Sequence, residues 1–219
     1  MCKLKSAIIL KNKIFMPDYD SHSDMLNELN IEDNYINASK TFVRVELSPI
    51  NNDVFSDIDT WQLNVDQDII PEWFSKEEYK PLMIEKVKQW AKDHIHIGIN
   101  GLKINSGENH YIKDCYNIEV YGSATVNEVY DSATVNKVCG SATVNEVYDS
   151  ATVNEVYGSA TVNKVYGSAT VISSPYWKWL NSDKIVLCQN ATFKDCYTKT
   201  IYQSGDWKLV SVKENEKGE

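Results

Sequence analysis

The sequence predicts an α+β domain followed by a parallel β-solenoid with about 18 residues per coil and an aromatic and hairpin cap. The solenoid follows from a nine-residue repeat, Ser-Ala-Thr-Val-Asn-Glu-Val-Tyr-Gly, which recurs in five full copies and a fragment between Ser123 and Val171. A fixed period of this kind indicates stacked units rather than an ordinary globular core. The α+β domain follows from helix-capping signals and short alternating apolar segments. The predicted boundaries are 1–105, 106–174 and 175–219.

Each nonamer predicts a short β-strand. In the first full copy, Ala124 and Val126 lie two positions apart and point to the same side of an extended chain. The Val and Thr content favours strands, and a period of nine does not fit an α-helix. Val129 follows three positions later, which predicts a bend at Asn127 or Glu128; Asn tolerates the left-handed backbone that such a bend often needs. We therefore expect Ala and Val inside the solenoid, and Thr, Glu, Lys and Tyr outside.

The ninth position of the nonamer predicts the coil length. Gly and Asp occupy this position in two series, each spaced by 18 residues: Gly122, Gly140 and Gly158, and Asp131 and Asp149. A coil of two nonamers stacks like on like, with Gly167 as the exception, whereas a coil of three would stack Gly122 on Asp149. Because the inward residues are small, the two walls should lie close together and leave no room for a ligand.

The first hundred residues contain separate helix and strand signals. Strands are predicted at 6–10, 13–16, 41–47 and 61–65. Capping signatures at Ser21 and Ser75 predict the start of two helices. The second helix has an amphipathic pattern that predicts a buried face made of Ile84, Val87, Trp90, Ala91 and His94. Asn100-Gly101 predicts a hairpin between strands at 95–99 and 102–104.

Decayed repeats flank the regular array. Residues 114–122 are in register with the nonamer, with Cys115 at the Ala position, so the solenoid is predicted to begin near Tyr111. Three segments are predicted to form the cap. An aromatic stretch at 176–180 covers the last coil, and residues 190–197 form one decayed repeat. Residues 198–203 and 207–212 form a closing hairpin.

Composition restricts the functional classes. The net charge is −9, and Arg44 is the only arginine. Such a chain is poorly suited to hold phosphate backbones, so we expect no direct nucleic-acid binding. We recognise no secretory leader and no membrane span, and the five cysteines form no CxxC pair. These features predict free thiols and a cytoplasmic protein.

Three polar groups are candidates for chemistry: Asp18, His22 and Asp24; His94, His96 and His110; and the acidic run 53–68. The first lacks the Gly and Glu of a calcium loop, and the second lacks the ligand spacing of a zinc site. The acidic run has the character of a solvated loop. The nonamer also lacks the paired glycines of calcium-binding repeats. The sequence therefore predicts no metal, no cofactor and no catalytic residue.

Several segments carry a family resemblance. They are KSAIILKNKIFMPDYDSHSDML, FVRVELSP, DVFS, DTWQLNVDQDIIPEWF, the WAKDHI helix end and the YGSATV repeats. In these segments the chain resembles uncharacterised phage and mobile-element proteins of low-GC gut bacteria, which have an N-terminal α+β domain and SATV nonapeptide repeats. The resemblance implies a phage or prophage origin and the cytoplasm of a bacterial host cell. It implies no activity.

The functional prediction is a non-catalytic protein that binds a host or phage protein, with antagonism of a host defence factor as one version. In that version, a ladder of carboxylates imitates nucleic-acid phosphates. The candidate binding surface is Glu128, Tyr130, Glu146, Tyr148, Glu155, Tyr157 and Tyr166. The same residues could instead be the solvated wall of the solenoid. Two alternatives remain: a structural or self-assembling spacer, which would be a homo-oligomer, and an enzyme with a site around Asp18, His22 and Asp24.

Overall fold

The computed structural model describes residues 5–205 of the chain. An N-terminal α+β region is followed by a parallel β-solenoid of about six turns over residues 95–194, with about 18 residues per turn. This architecture confirms the predicted fold class. The described residues form two compact units. The first comprises residues 5–98, 107–113 and 125–127. The second comprises residues 99–106, 114–124 and 128–205.

A four-stranded antiparallel sheet forms the centre of the α+β region, in the order β2-β1-β3-β4. Its strands are β1 Lys5–Leu10, β2 Lys13–Phe15, β3 Phe42–Ser48 and β4 Gln62–Val65. All four agree with the predicted strands. The β1–β2 hairpin turns at Lys11 and Asn12.

Three helices accompany this sheet: α1 His22–Glu28, α2 Tyr35–Lys40 and α3 Lys76–His94. The two predicted capping residues act as predicted, because the Ser21 side chain accepts from the backbone N–H of Asp24 and Ser75 accepts from that of Glu78. The predicted apolar face of α3 is buried. Helix α2 was not predicted. Its cap is Asn34, and Ala38 is its one buried residue.

The sheet is covered on both faces, which follows from the alternation of its strands. Ile9, Val43 and Val45 belong to the core beneath α3. Ile8 and Phe42 belong to a second core with residues of α1 and α2. The even-numbered residues of β3 therefore lie on the α1 side of the sheet, and this places Glu46 there.

The solenoid strands alternate between two parallel sheets. We call one the odd wall, in the order β15-β13-β11-β9-β7-β5, and the other the even wall, in the order β17-β16-β14-β12-β10-β8-β6. The odd-wall strands are β5 Ile95–Ile97, β7 His110–Lys113, β9 Thr125–Tyr130, β11 Thr143–Val147, β13 Thr161–Val165 and β15 Val186–Leu187. The even-wall strands are β6 Lys103–Ile104, β8 Ile118–Val120, β10 Thr134–Val138, β12 Thr152–Val156, β14 Thr170–Ser173, β16 Thr192–Asp195 and β17 Thr200–Gln203. Consecutive nonamers thus lie on opposite walls, which confirms the two-nonamer coil.

The inward residues are the predicted ones. Ala124, Val126, Val129 and their equivalents in the later nonamers have no exposed surface. Cys115 takes the place of the repeat Ala and is equally buried.

The repeat Asn does not adopt a left-handed backbone conformation, although the strand pairing shifts register beside it, between Val135 and Lys137 and between Val153 and Val156. Asn127 lies inside β9, and positive φ angles occur instead at the ninth position, at 55° for Asp131 and 57° for Asp149. The Asn side chains form ladders between coils, with Asn163 Nδ2 donating to Asn145 Oδ1 at 2.9 Å. Side-chain pairing one coil apart, rather than backbone geometry, therefore accounts for this Asn.

The predicted hairpin at Asn100-Gly101 does not form. Strands β5 and β6 flank this turn, but they pair in parallel with β7 and β8 instead of with each other. Gly101 has a φ of 81°, and its N–H donates to the carbonyl of Tyr116 in the next coil. The turn leads the chain from one wall to the other, so the solenoid begins about one coil before the predicted start near Tyr111.

The C-terminal end contains the predicted decayed repeat. Strand β16 pairs in parallel with β14, and Phe193 takes the place of the repeat Val. Strand β17 then returns antiparallel to β16. The closing hairpin is therefore β16–β17, and its predicted partner at 207–212 lies outside the described residues.

The aromatic segment covers the last coil through one residue only. Trp179 is buried, its ring meets Phe193 edge to face at 5.2 Å, and its Nε1 donates to the carbonyl of Ala160 at 2.7 Å. Tyr176 and Trp177 are exposed. The covering role that was predicted for residues 176–180 thus belongs to Trp179.

Candidate functional site

The seven residues of the predicted binding surface lie on two different walls. The odd wall carries five of them: Glu128, Tyr130, Glu146, Tyr148 and Tyr166. Glu155 and Tyr157 belong to β12 and the residue after it, on the even wall. Because a coil contains two nonamers, residues nine apart face away from each other, and only residues 18 apart become neighbours.

Three tyrosines on the odd wall form a stacked column, which we call the tyrosine ladder: Tyr130, Tyr148 and Tyr166. The ring centroids of Tyr130 and Tyr148 are 4.5 Å apart with an interplanar angle of 12°. Those of Tyr148 and Tyr166 are 4.8 Å apart at 7°. The rings are half-buried, because their faces are covered by one another. Each aromatic contact contributes about 0.5–1.5 kcal/mol beyond its buried area.

The hydroxyl groups of Tyr130 and Tyr148 stay protonated at neutral pH. Burial raises the pKa of Tyr130, and the nearby carboxylates of Glu128, Asp149 and Glu146 add to the effect. Burial also raises the pKa of Tyr148, whose hydroxyl donates a hydrogen bond to Glu146. Tyr130 and Tyr148 therefore present neutral phenol groups one strand spacing apart.

The glutamates do not form a continuous acidic ladder. Glu128 is only 7% exposed, and the column continues through Glu146 to Lys164, whose Nζ lies 3.5 Å from Glu146 Oε1. On the even wall, Lys and Glu alternate, and Lys103 Nζ lies 3.0 Å from Glu119 Oε2. This arrangement does not favour imitation of nucleic-acid phosphates, because a lysine follows the two glutamates of the odd wall and lysines alternate with glutamates on the even wall.

The even wall lacks an equivalent ladder. On this wall the eighth positions of the nonamers are occupied by Tyr121, Cys139 and Tyr157, so a cysteine separates the two tyrosines. Tyr157 instead has Lys137 Nζ at 5.3 Å from its ring centroid. Within residues 5–205, Cys139, Cys188 and Cys196 form no disulfide bond.

The three histidines in the second candidate group come together as a buried stack. The His94 ring stacks on Trp90 at 4.6 Å and on His110 at 5.2 Å. His96 Nε2 lies 3.3 Å from His110 Nδ1. Burial lowers the pKa of His96 to about 4, and the charges of the neighbouring His110 and His94 contribute. Ring faces meet one another here, so the arrangement is typical of packing.

A different cluster forms around His22, and sequence spacing did not indicate it. Its Nδ1 lies 3.1 Å from Asp66 Oδ2, and its Nε2 lies 3.1 Å from the carbonyl of Val45. One ligand atom each from His22, Glu46 and Asp66 lies within 4.8 Å of the others. Asp18 and Asp24, the predicted neighbours of His22, are not members of this cluster; Asp18 Oδ1 lies 4.0 Å from His94 Nε2, and Asp24 is exposed.

The members of this cluster come from three separate elements. His22 is the first residue of α1, Glu46 lies in β3, and Asp66 directly follows β4. One sequence signal pointed to a member of this cluster. Apolar and polar residues alternate along β3, so Glu46 lies on the same side of the sheet as Phe42 and therefore near a core. The connection to Asp66 required knowledge of the β3–β4 register.

Comparisons with known proteins add no assignment: no protein family, curated protein or solved structure matches this chain. Among residues 5–205, none of the helices combines the length and the apolar composition that crossing a membrane requires.

Proposed function

We propose that this chain is a non-catalytic protein that acts by binding another protein through the tyrosine ladder of its odd wall. The observation that carries the proposal is the stacking of Tyr130, Tyr148 and Tyr166 at 4.5 and 4.8 Å. A host defence factor is the class of partner that the resemblance to phage and mobile-element proteins favours.

Two physical properties of the ladder support binding. Stacked rings are already held in one conformation, so the tyrosine side chains lose little conformational entropy when a partner contacts them. Tyrosine is also enriched at protein interfaces, where its ring supplies contact area and its hydroxyl a hydrogen bond. The partner surface that fits best is apolar with hydrogen-bond acceptors, and basic groups at its margin would match the net charge of −9.

The test compares equivalent residues on the two walls. The full chain would be immobilised and exposed to host lysate, in parallel with Tyr148→Ala and Tyr157→Ala variants. Both residues occupy the same nonamer position, but only Tyr148 belongs to the ladder. We expect a partner that is retained by the wild type and by Tyr157→Ala, and lost by at least about tenfold with Tyr148→Ala, because central aromatic anchors dominate interface energies.

A second pair of variants distinguishes the effect of a changed charge from the effect of a lost tyrosine ring. Glu146→Lys and Glu155→Lys introduce the same charge change on the two walls. Loss of the partner with Glu146→Lys alone would support the odd wall. If every captured protein is retained equally by all four variants, the proposal is wrong, and the ladder serves only to stabilise the solenoid.

A further inference from the structure

We propose that His22, Glu46 and Asp66 form a binding site for one divalent transition-metal ion. The site lies in the α+β region, on the face of the sheet that α1 covers. It is independent of the proposed binding of a protein by the solenoid.

The imidazole of His22 is oriented as a metal ligand. A carbonyl oxygen only accepts hydrogen bonds, so the Nε2–H donates to the carbonyl of Val45 at 3.1 Å. With Nε2 protonated, Nδ1 holds either a proton that it donates to Asp66 Oδ2, 3.1 Å away, or a lone pair that a metal ion in the place of that proton would accept. Metal-binding histidines commonly donate their other N–H to a backbone carbonyl in this way, which fixes the tautomer and the ring plane.

The distance between the two atoms fits a shared ion. With metal–ligand distances of about 2.0–2.2 Å, a separation of 3.1 Å corresponds to an angle of about 95° at the metal. That angle suits adjacent ligands of a four- to six-coordinate ion. Glu46 supplies the third ligand, since one of its carboxylate oxygens lies within 4.8 Å of the other two atoms.

No lysine or arginine neutralises the two carboxylates. Within residues 5–205, Asp66 pairs with His22 alone, Glu46 pairs with no lysine or arginine, and Lys5 and Arg44 pair with Asp20 and Asp33. A bound cation would compensate for both charges.

A buried hydroxyl next to Glu46 also lacks a partner. Ser6 is opposite Glu46 in the β1–β3 register, so the two side chains lie on the same face of the sheet. Ser6 is 1% exposed, and its Oγ has no hydrogen-bond partner among the described residues. Buried hydroxyls are almost always satisfied. A water molecule on the metal would satisfy this one.

The ligand set indicates the class of metal. One imidazole nitrogen with two carboxylates suits Zn²⁺ and Mn²⁺, whereas Mg²⁺ and Ca²⁺ prefer oxygen ligands alone. Asp66 is exposed, so the remaining coordination positions are open to water.

The experiment measures metal binding by the full chain after chelator treatment and dialysis. Mn²⁺ would be titrated with detection of the free ion by electron paramagnetic resonance, and Zn²⁺ by calorimetry. We expect one ion per chain. His22→Gln, Glu46→Gln and Asp66→Asn should each weaken binding by at least about tenfold, since even outer-sphere changes commonly cost that much.

Two matched variants control for non-specific effects. Asp24→Asn removes an exposed carboxylate two residues from His22, and Asp18→Asn removes the carboxylate beside His94. Both should bind as the wild type does. If Glu46→Gln fails to fold by circular dichroism, the exposed Asp66 still provides a test. The proposal is overturned if the wild type binds no ion, or if Asp66→Asn binds as tightly as Asp24→Asn.

Discussion

The ninth residue of each nonamer determines how the chain passes between walls. This position adopts a left-handed backbone throughout, with φ of 65° at Gly122 and 55° at Asp131. Asp tolerates this conformation better than most residues with a Cβ, which explains why it alternates with Gly. The space around the position differs between coils, however. A Cβ on Gly122 would lie 2.3 Å from the carbonyl oxygen of Asn105, whereas one on Gly158 would meet no atom closer than 3.9 Å.

Two alanine substitutions should therefore differ in their effect on stability. Gly158→Ala should cost about 1–2 kcal/mol, the penalty for a left-handed alanine. Gly122→Ala should cost about 1–3 kcal/mol more, because the backbone of the preceding coil must move to admit the methyl group. Urea unfolding followed by circular dichroism measures both values. Equal losses would show that the close approach to Asn105 relaxes without cost.

The His96 side chain should make stability depend on pH. Its folded-state pKa of about 4 lies below the ordinary value of 6.5, so the unfolded chain binds the proton more readily. The contribution of neutral His96 to the free energy of unfolding is fully present above pH 6.5 and is lost as the pH falls towards 4. His94 and His110 strengthen this effect, and Asp93 opposes it.

The expected loss between these pH values is about 1–3 kcal/mol. Urea unfolding from pH 7 to pH 4 would measure it, with His96→Gln as the comparison. The variant should have a flatter profile in this range. Identical profiles for the two proteins would contradict the assignment to His96.

At the scale of single elements, the two walls use the same nonamer differently. The odd wall stacks three tyrosines, whereas Cys139 separates Tyr121 from Tyr157 on the even wall. The repeat itself therefore suggests how to complete the second column. A tyrosine at position 139 would have a ring on either side, one strand spacing away.

Cys139→Tyr should stabilise the solenoid by about 1 kcal/mol, since it adds aromatic contacts in an existing register. Tyr148→Cys is the matched reverse change, and it should cost about 1–3 kcal/mol because two stacking contacts are lost. Thermal and urea unfolding would show whether each substitution raises or lowers the free energy of unfolding. Destabilisation by Cys139→Tyr would mean that the even wall has no room for the ring.

Elements with two independent sequence signals were predicted well. Helices α1 and α3 combine a Ser cap with apolar spacing, and both capping bonds form. Helix α2 lacks such spacing, because Tyr35 and Ile36 are exposed, so its sequence gave no amphipathic signal. The hairpin at Asn100-Gly101 failed for another reason. A local turn signal does not reveal which strand will pair, and long-range pairing with the next coil prevailed.

At the scale of the whole molecule, periodicity predicted the coil length and the interior. The candidate site was harder to predict, since it depends on contacts between distant elements. The tyrosine ladder could be derived from the sequence, because tyrosines 18 residues apart lie on the same wall of a two-nonamer coil. The grouping of His22 with Glu46 and Asp66 required the sheet register and the position of α1, which no local pattern in these residues contains.

The two-nonamer coil predicts different outcomes for two deletions. Removal of residues 141–158 deletes one coil and keeps every later strand on its wall, so Tyr166 would stack on Tyr130. Removal of residues 141–149 transfers every later strand to the opposite wall and misplaces Trp179. We expect the shorter deletion to be the more damaging.

Thermal unfolding by circular dichroism would compare the two proteins, and near-ultraviolet spectra would report the packing of Trp179. The longer deletion should retain a cooperative transition close to that of the wild type. Equal melting temperatures for the two deletions would show that the cap accepts either wall.

The alternation of nonamers between walls also bears on how the gene changes. Near-identical tandem copies invite slippage during DNA replication, which adds or removes repeats. A change by one copy would exchange the walls for everything downstream, whereas a change by two would preserve them. Selection should therefore act on the parity of the copy number, and chains descended from this one should differ from it by even numbers of nonamers.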